Sequence, residues 1–400
     1  MEHSCTSGDT SQGQRSLHIA WVNERSAFAG GCERYIQSMA GHLSTLGCRS
    51  TLLFDPSLPL ERDFATVFDG AFPLVDPALQ LADLRPDVVF VHRLSDARLL
   101  RELVGQGAAV VRFFHDHRLF CPREHKYTAI GRRTCTRTIG AGCLGCLRGA
   151  RRGPEGGIQF TSVRSLRKEQ RLNMDLDACV VASSYMAKHL VDHGFSENRV
   201  HVLPLFPAES VSDARAAGLR REDDLLLFVG QLVMGKGVDV LLDAMSIART
   251  NCRLVVAGSG RQEEIFRMRA RQLGLADRVS FLGRASPAEL DLLYRTAACV
   301  VVPSRTPETF GLVGVEALKR GTPVIGTTVG GIEEWLHPGT TGLAVPPGDA
   351  GALAAAMDRI LTDPVLAESM GSAGAALCEE RFRADRHADE LLQLFRGLVR

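Results

Sequence analysis

The sequence predicts an α/β protein made of two consecutive doubly wound, Rossmann-like domains. Short apolar runs rich in Val, Ile and Leu alternate with helical stretches along nearly the whole chain, and such runs are typical of parallel strands covered on both faces. This alternation is interrupted once near the middle and then begins again. A chain of 400 residues is long enough for two separate hydrophobic cores.

The interruption sets the predicted domain boundaries. It contains proline, several alanines and alternating charges, which favour a linker over a strand or helix. The predicted segments are a disordered tail (1–15), an N-terminal Rossmann-like domain (16–207), a linker (208–222), a C-terminal Rossmann-like domain (223–379) and a last helix (380–400).

The N-terminal domain opens with a strand–helix–strand pattern. A strand over 17–22 leads through Gly30 and Gly31 into an amphipathic helix over 33–46, and a strand follows at 50–54. The glycine pair either lets a bound group approach the backbone or only forms a turn. The later predicted strands are 88–92, 109–114, 178–182, 200–203, 225–230, 253–258, 279–282, 299–302 and 323–326, and the later helices include 238–248, 261–273, 286–296, 312–319 and 351–361.

Composition excludes several classes of function. A net charge of +1 gives no bulk attraction to nucleic acid, so no nucleic-acid partner is expected. The chain has no run of about 18 apolar residues, and its first 15 residues lack a hydrophobic centre. These observations predict a cytoplasmic protein.

The most informative stretch runs from Pro303 to Glu316, where a buried strand passes through a loop into a helix. Gly311 and Leu312 fall in the first turn of that helix, where free backbone N–H groups favour an anion such as phosphate. Two carboxylates, Glu308 and Glu316, cannot bind that anion and would bind hydroxyl groups beside it. A sugar nucleotide has this arrangement of groups, and an ordinary strand–helix corner is the alternative.

Other polar residues lie where predicted strands end, which is where ligands bind in such sheets. Lys236 lies between two glycines at a helix start and could bind a diphosphate, although it could also be an ordinary surface lysine. His115 ends the strand over 109–114, so it is either a cleft residue or a structural histidine. Gly258 and Gly260 begin a dinucleotide fingerprint, but Glu263 replaces its third glycine.

Together these residues resemble the retaining nucleotide-sugar glycosyltransferases of family 4, which have the GT-B fold of two Rossmann-like domains facing across a cleft. The strongest motif is E-x7-E at Glu308 and Glu316, and F-V-G with K-G at Phe228–Gly237 adds to it. Further glycine motifs follow at family-like spacing, at Gly321, Gly330 and Gly342.

The resemblance implies an enzyme of class EC 2.4 that transfers a sugar from a nucleotide diphosphate donor to a glycan, lipid-linked or small-molecule acceptor, as in polysaccharide or glycoconjugate biosynthesis. It implies retention of anomeric configuration and no cofactor for catalysis. It also implies that the last helix, 380–400, packs back on the N-terminal domain. The implied catalytic residues are Glu308, Lys236 and His115. The implied donor contacts are Gln231, Lys236, Gly258, Arg305, Thr309, Phe310, Gly311, Leu312 and Glu316, and Gly30 and Gly31 are expected on the acceptor or phosphate side.

One residue departs from the family pattern. Gln231 stands where members commonly carry arginine, which removes a fixed positive charge beside the expected diphosphate. Either Arg305 or another basic side chain compensates, or turnover is weakened. A degenerate, poorly active member is therefore one alternative.

A second distinctive feature is a cluster of four cysteines, Cys121, Cys135, Cys143 and Cys146, and a subset of the family is similar here, with H-D followed by C-P and a cysteine cluster. Four such ligands suit a structural zinc ion, while an iron–sulfur cluster or free or disulfide-bonded cysteines remain alternatives. The surrounding insert, about 118–171, holds thirteen Lys and Arg against three Glu. It is either a solvated surface or a contact for an anionic acceptor or the anionic inner membrane face.

Two rival functions remain at this stage. The first is a non-catalytic binding module stabilised by zinc. The second is a nicotinamide dehydrogenase, which the missing third glycine and the Glu308–Glu316 pair disfavour. Hydrolysis of nucleotide sugars distinguishes an enzyme from a module.

Overall fold

The computed structural model describes residues 15–28, 30–128, 133–146, 150–152, 158–208 and 219–399. The predicted tail 1–15, apart from its last residue, and most of the predicted linker 208–222 lie outside the described residues. Contacts divide the described chain into two compact units. The first runs to Val111 and includes the end of the chain from Leu392, and the second is Arg112–Leu391.

The first unit is an α/β arrangement in which each strand is followed by a helix or a loop. Its elements are β1 (His18–Val22), α1 (Gly31–Thr45), β2 (Arg49–Phe54), α2 (Arg62–Ala65), β3 (Gly70–Pro73), α3 (Pro77–Leu84), β4 (Val88–Val91), α4 (Ala97–Leu103) and the start of β5 (Ala109–Phe113).

The strands of the first unit form a parallel sheet in the order β3-β2-β1-β4. Every residue of β1 and β4 is buried, as expected for strands covered on both faces. Phe395, near the C-terminal end of the chain, packs edge-on against Phe90 of β4, with ring centroids 5.2 Å apart. The aromatic ring therefore closes one face of this sheet.

The second unit contains the remaining strands and helices. They are β6 (Ala150–Arg152), β7 (Ile158–Phe160), α5 (Val163–Met174), β8 (Ala178–Val181), α6 (Ser184–Asp192), β9 (Val200–Val202), β10 (Glu222–Val229), α7 (Val238–Ile247), β11 (Arg253–Ala257), α8 (Glu263–Gln272), β12 (Val279–Gly283), α9 (Pro287–Thr296), β13 (Ala297–Val302), α10 (Leu312–Lys319), β14 (Val324–Thr327), β15 (Gly342–Val345), α11 (Ala350–Thr362), α12 (Pro364–Arg381) and α13 (Ala384–Leu398).

Two groups of parallel strands belong to this unit. The end of β5 lies next to β8, and β8 pairs with β9. Six further strands form a parallel sheet in the order β12-β11-β10-β13-β14-β15. Helices α7 and α11 bury their apolar faces on this sheet. The fold-class prediction of Rossmann-like α/β domains with parallel sheets is confirmed.

The observed elements differ from the predicted ones at several places, and strands β3 and β15 and helix α12 had no predicted counterpart. The predicted single helix 380–400 is broken, because α12 ends at Arg381 and α13 begins at Ala384, with a buried Phe382 between them. The basic insert also contains an antiparallel pair, β6 and β7, that its loop-like sequence did not indicate. No helix in the described parts of the chain combines the length and apolar character that a bilayer span requires.

Candidate active site

The candidate site is built around the loop that joins β13 to α10. All six residues of β13 are buried, so the loop after it starts from a fixed position. Gly311 precedes α10 with φ of 80°, in the left-handed region that favours glycine. No side chain caps this helix. The first amides of α10 therefore have no bond from an N-cap side chain, and their predicted role as an anion site stays a prediction.

Lys236, from the loop after β10, forms an ion pair with Glu308 of this loop. The Lys236 Nζ atom donates to Glu308 Oε1 at 2.7 Å and to Oε2 at 2.8 Å. The Ser304 hydroxyl donates to the same carboxylate. The lysine side chain is 30% exposed and the glutamate side chain 13% exposed. A ligand can therefore reach this pair.

The protonation state of Glu308 follows from its partners. Burial alone would raise the pKa of this carboxyl, but the charge and hydrogen bonds of Lys236, with a hydrogen bond from Ser304, hold the pKa below its ordinary value. Glu308 is thus a carboxylate at neutral pH, able to accept hydrogen bonds from hydroxyl groups.

Close backbone packing explains why glycine lies beside Lys236. Gly237 has φ of 77°, and a Cβ atom there would lie 1.9 Å from the Pro303 carbonyl oxygen. The Arg305 amide donates to the Gly235 carbonyl at 2.7 Å. The lysine turn and the β13–α10 loop therefore touch through their backbones, which positions the Lys236 side chain beside Glu308.

Glu316 lies in α10, one turn and a half beyond Gly311. Its Oε2 atom accepts a hydrogen bond from the Tyr294 hydroxyl at 2.7 Å, and Tyr294 is buried in α9. Tyr294 was not identified as a site residue from the sequence. The one feature that could have indicated it is that it is a tyrosine on the helix directly before β13. The predicted contact of Glu316 with a ribose stays a prediction.

Residues at the ends of β5 and β8 hold the loop at Pro307–Thr309. His117 Nε2 lies 3.3 Å from the Pro307 carbonyl oxygen, the Thr309 hydroxyl donates to the His115 carbonyl at 3.0 Å, and the Ser183 hydroxyl donates to the Thr309 carbonyl at 2.6 Å. The strand ends of the two sheets in this unit thus meet at the residues flanking Glu308. Sequence reasoning missed Ser183, which follows a buried strand.

The two histidines after β5 differ in environment. The His115 ring stacks on Phe113 with centroids 4.2 Å apart. His117 is buried, and burial, with the charge of Lys126 next in size, lowers its pKa to about 4. His117 is therefore neutral at pH 7, and its Nε2–H tautomer donates to the Pro307 carbonyl.

The other predicted donor contacts have varied surroundings. Gln231 is exposed, whereas Phe310 is buried and its carbonyl accepts from Trp335 Nε1 at 2.7 Å. Gly258 is required by packing, because a Cβ atom there would lie 1.9 Å from the Gly230 carbonyl oxygen.

Arg305 is occupied by other groups. Its guanidinium donates to both oxygens of Asp239, at 2.6 and 2.7 Å, and to the Met234 carbonyl at 2.6 Å. All three of these bonds come from Nη2, whereas the buried Nε has no partner among the described residues. The role of Arg305 as the cation that compensates for Gln231 stays a prediction.

Gly30 and Gly31 belong to the first unit, where they begin helix α1. Gly30 has extended backbone geometry and is exposed. Their predicted role on the acceptor or phosphate side stays a prediction.

The four cysteines of the insert are all partly buried. Within the described residues, no three of their sulfur atoms lie within 4.8 Å of one another. The Cys135 amide donates to the carbonyl of the buried Lys126 at 2.7 Å, and burial raises the pKa of the Cys121 thiol. This arrangement does not assemble a tetrahedral zinc site, so zinc binding stays a prediction.

Comparisons with known proteins match both halves of the chain. Residues 29–206 match the family described as Glycosyltransferase Family 4, and residues 212–376 match the family described as Glycosyl transferases group 1. The two matched domains are therefore each similar to a glycosyltransferase domain. The candidate site built on Lys236, Glu308 and α10 lies in the second of these domains.

Curated relatives are similar to this chain over part of their length. The chain is 33% identical over 190 residues to an uncharacterized glycosyltransferase, MJ1607, of Methanocaldococcus jannaschii, covering 47% of this chain and 48% of the relative. It is 33% identical over 247 residues to D-inositol 3-phosphate glycosyltransferase of Segniliparus rotundus, covering 58% and 55%. The chain thus spans about half the length of the curated relatives it matches.

Solved structures share the fold over nearly the whole chain. Sucrose-phosphate synthase from Thermosynechococcus elongatus superposes with a TM-score of 0.71 at 23% identity, covering 96% of this chain and 99% of the other. The Anabaena protein Alr3699/HepE, in complex with UDP and glucose, superposes with a TM-score of 0.69 at 16% identity, covering 95% and 100%. These likenesses confirm the predicted GT-B class of fold.

Proposed function

We propose that this protein is a two-domain glycosyltransferase that moves a sugar from a nucleotide diphosphate donor to a hydroxyl-bearing acceptor and retains the anomeric configuration. The observation that carries the proposal is the Lys236–Glu308 ion pair beside the uncapped start of α10. It brings a cation, a carboxylate and free amides together, which are the groups a sugar diphosphate requires.

In the proposed complex, the diphosphate lies at Gly311 and Leu312. An ammonium group has three N–H donors, and Lys236 uses two of them on Glu308. The third is available to a phosphate oxygen. Lys236 would thus link the sugar-binding carboxylate to the leaving group and stabilise the negative charge that grows on the diphosphate.

The remaining roles follow from position. Glu308 would accept hydrogen bonds from hydroxyls of the transferred sugar, and Glu316, held by Tyr294, would bind the ribose. The C–O bond to phosphate breaks with its electron pair on the diphosphate, the acceptor oxygen bonds to the sugar carbon, and the acceptor proton passes to the departing phosphate oxygen. His115 would lie near this reaction centre. These protein groups neutralise the leaving charge without a metal ion.

The proposal is tested by incubating the protein with a panel of nucleotide sugars and measuring the nucleoside diphosphate released. Release with one donor, abolished in Glu308→Gln, supports the enzyme. Absence of both binding and release across the panel would favour the non-catalytic binding module.

A further inference from the structure

The first unit contains a cavity of about 340 Å³ that the proposed donor site does not use. It is lined by residues at the carboxyl ends of the neighbouring parallel strands β1 to β4, in the loops that follow them and in the first turn of α4. Ligands of doubly wound sheets bind at this edge, and small-molecule sites generally have volumes of about 300–1,000 Å³. The cavity therefore has the position and the size of a small-molecule site.

The loops around the cavity are joined through their backbones. The Asn23 amide donates to the Leu53 carbonyl at 3.1 Å. The Asp55 amide donates to the Glu24 carbonyl at 3.2 Å. These bonds extend the pairing of β1 with β2 beyond the last residues of the two strands. The sheet therefore fixes the cavity walls, and a ligand would meet a site that is already formed.

Most of the residues that line the cavity are apolar. Leu53, Leu74 and Leu94 line it and are buried in the protein, whereas Val75 lines it and is 69% exposed. Removing such exposed apolar surface from water is favourable. A ligand with an apolar face would therefore bind more tightly here than a wholly polar one.

Four charged residues line the same cavity, namely Glu24, Asp55, Asp96 and Arg98. Asp96 and Arg98 form an ion pair at 2.9 Å and cancel each other's charge. Glu24 accepts a hydrogen bond from the Ser95 amide, and Asp55 accepts from the amide and hydroxyl of Ser57. Among the described residues, neither Glu24 nor Asp55 forms an ion pair, so two carboxylates in the cavity have no counter-charge.

These two carboxylates select the charge of a ligand. A carboxylate only accepts hydrogen bonds, whereas an ammonium group supplies three N–H donors and the opposite charge. Charge-assisted hydrogen bonds of this kind are roughly twice as strong as neutral ones. A phosphate or carboxylate group on the ligand would instead meet like charge, which disfavours binding. The cavity therefore favours an amine over an anion.

Asn23 adds a hydrogen-bond donor to the cavity wall. Its side chain is fully buried and lines the cavity. The Nδ2 atom donates to the Arg25 carbonyl at 2.7 Å, and Oδ1 accepts from the Arg93 amide at 3.1 Å. A side-chain amide nitrogen has two N–H donors, and the second has no partner among the described residues. A hydroxyl oxygen of a bound ligand would satisfy it.

We propose that this cavity binds the acceptor of the proposed reaction, and that the acceptor is a hydroxylated amine with an apolar face and no phosphate group. Glu24 and Asp55 would bind its ammonium group, and Asn23 one of its hydroxyl groups. This inference rests on the proposed function and names the chemical class of the acceptor. It differs from the anionic acceptor that the basic insert made one alternative.

The test is calorimetric titration of the full chain at pH 6.5 with two hydroxylated amines of different size, glucosamine and phenyl β-D-glucosaminide. Each is compared with its N-acetyl derivative, which keeps the hydroxyl groups but carries no charge, and with glucose 6-phosphate. At least one amine should bind at least about tenfold more tightly than its N-acetyl derivative, and glucose 6-phosphate should bind more weakly than that amine.

Two variants remove one charge each and keep a hydrogen-bond acceptor. Glu24→Gln and Asp55→Asn should each weaken binding of the amine about tenfold and leave binding of the N-acetyl derivative within about twofold. Glu102→Gln is the matched control, because Glu102 is an exposed carboxylate on α4 that does not line the cavity. It should change neither affinity.

The same protein is then assayed for transfer from a panel of nucleotide sugars to the amine that binds, with release of nucleoside diphosphate measured in parallel. Transfer to that amine supports the inference. Absence of amine binding, equal binding of amine and N-acetyl derivative, or amine binding that is unchanged in both variants overturns it. Amine binding without transfer overturns the acceptor role. In each of these cases, release of nucleoside diphosphate from a donor leaves the proposed function standing, and absence of release overturns that as well.

Discussion

Lys236 Nζ donates to both oxygens of the Glu308 carboxylate, at 2.7 and 2.8 Å, across 72 residues of sequence. The pair links the loop after β10 to the loop after β13. It follows that neither residue can be changed without altering the charge and position of the other.

Lys236→Ala should lower kcat/KM for sugar transfer at least about 10²-fold, because it removes the cation at the developing charge and leaves the Glu308 carboxylate without its charged partner. Lys188→Ala is the matched control, since Lys188 also pairs with a carboxylate, Asp192, at an exposed position. Near wild-type rates for Lys236→Ala would refute the proposed contact between Lys236 and the diphosphate.

Glu316→Ala should raise KM for the donor with little change in kcat, because a ribose contact is made equally in the ground and transition states. Tyr294→Phe removes the hydroxyl that donates to Glu316. It should also raise KM for the donor, but by a smaller factor than Glu316→Ala. Steady-state kinetics distinguish the outcomes. A lower kcat at unchanged KM would place Glu316 in the chemical step instead.

The stability of the protein should fall as pH drops from about 6.5 to about 4. Burial lowers the pKa of His117 to about 4, so over this range the unfolded chain binds a proton that the folded chain does not. Other buried histidines contribute, and His387 also has a pKa of about 4 because of burial. Denaturation of His117→Gln should show a shallower pH dependence, by up to about 1.4 kcal/mol per pH unit.

His201→Gln serves as the control for this experiment. Burial lowers the pKa of His201 as well, but its side chain is only half-buried. Its removal should therefore change the pH dependence of stability less than removal of His117 does. Equal slopes for wild type and His117→Gln between pH 4 and 6.5 would show that His117 is not buried as a neutral ring.

The zinc prediction has a direct measurement. Protein purified without chelator should contain about one zinc ion per chain, as four cysteine ligands bind one ion, and replacing Cys143 and Cys146 together by serine should remove it. Binding would require the sulfur atoms to approach more closely than in the structure, where no three of the four lie within 4.8 Å. Elemental analysis that finds no metal would exclude the site and leave four thiols.

Local patterns were predictable and long-range contacts were not. The bounds of α10 follow from a left-handed Gly311 and a short apolar repeat, both of which are properties of neighbouring residues. The Lys236–Glu308 pair was expected only as two separate ligand contacts, because sequence spacing does not show which loops touch. Ser183 and Tyr294 act through contacts with Thr309 and Glu316 that only the folded chain reveals.

Gln231, which stands where the resembling family commonly has arginine, is a second case in which the sequence alone does not show a long-range contact. The sequence identified a missing positive charge and named Arg305 as one replacement. In the structure Asp239 holds Arg305, while the backbone contacts of Gly260 and Gln262 bring Arg261 beside Leu232. The sequence could show that a charge was lost, but only the folded chain shows which groups lie beside the remaining basic residues.

The most direct test of the account is release of nucleoside diphosphate from a panel of nucleotide sugars, measured for the wild type, Glu308→Gln and the control Glu264→Gln on α8. The account predicts release from at least one donor by the wild type and the control, with loss of at least about 10²-fold in Glu308→Gln. Release that is unchanged in Glu308→Gln, or absent in the wild type with every donor, would contradict it.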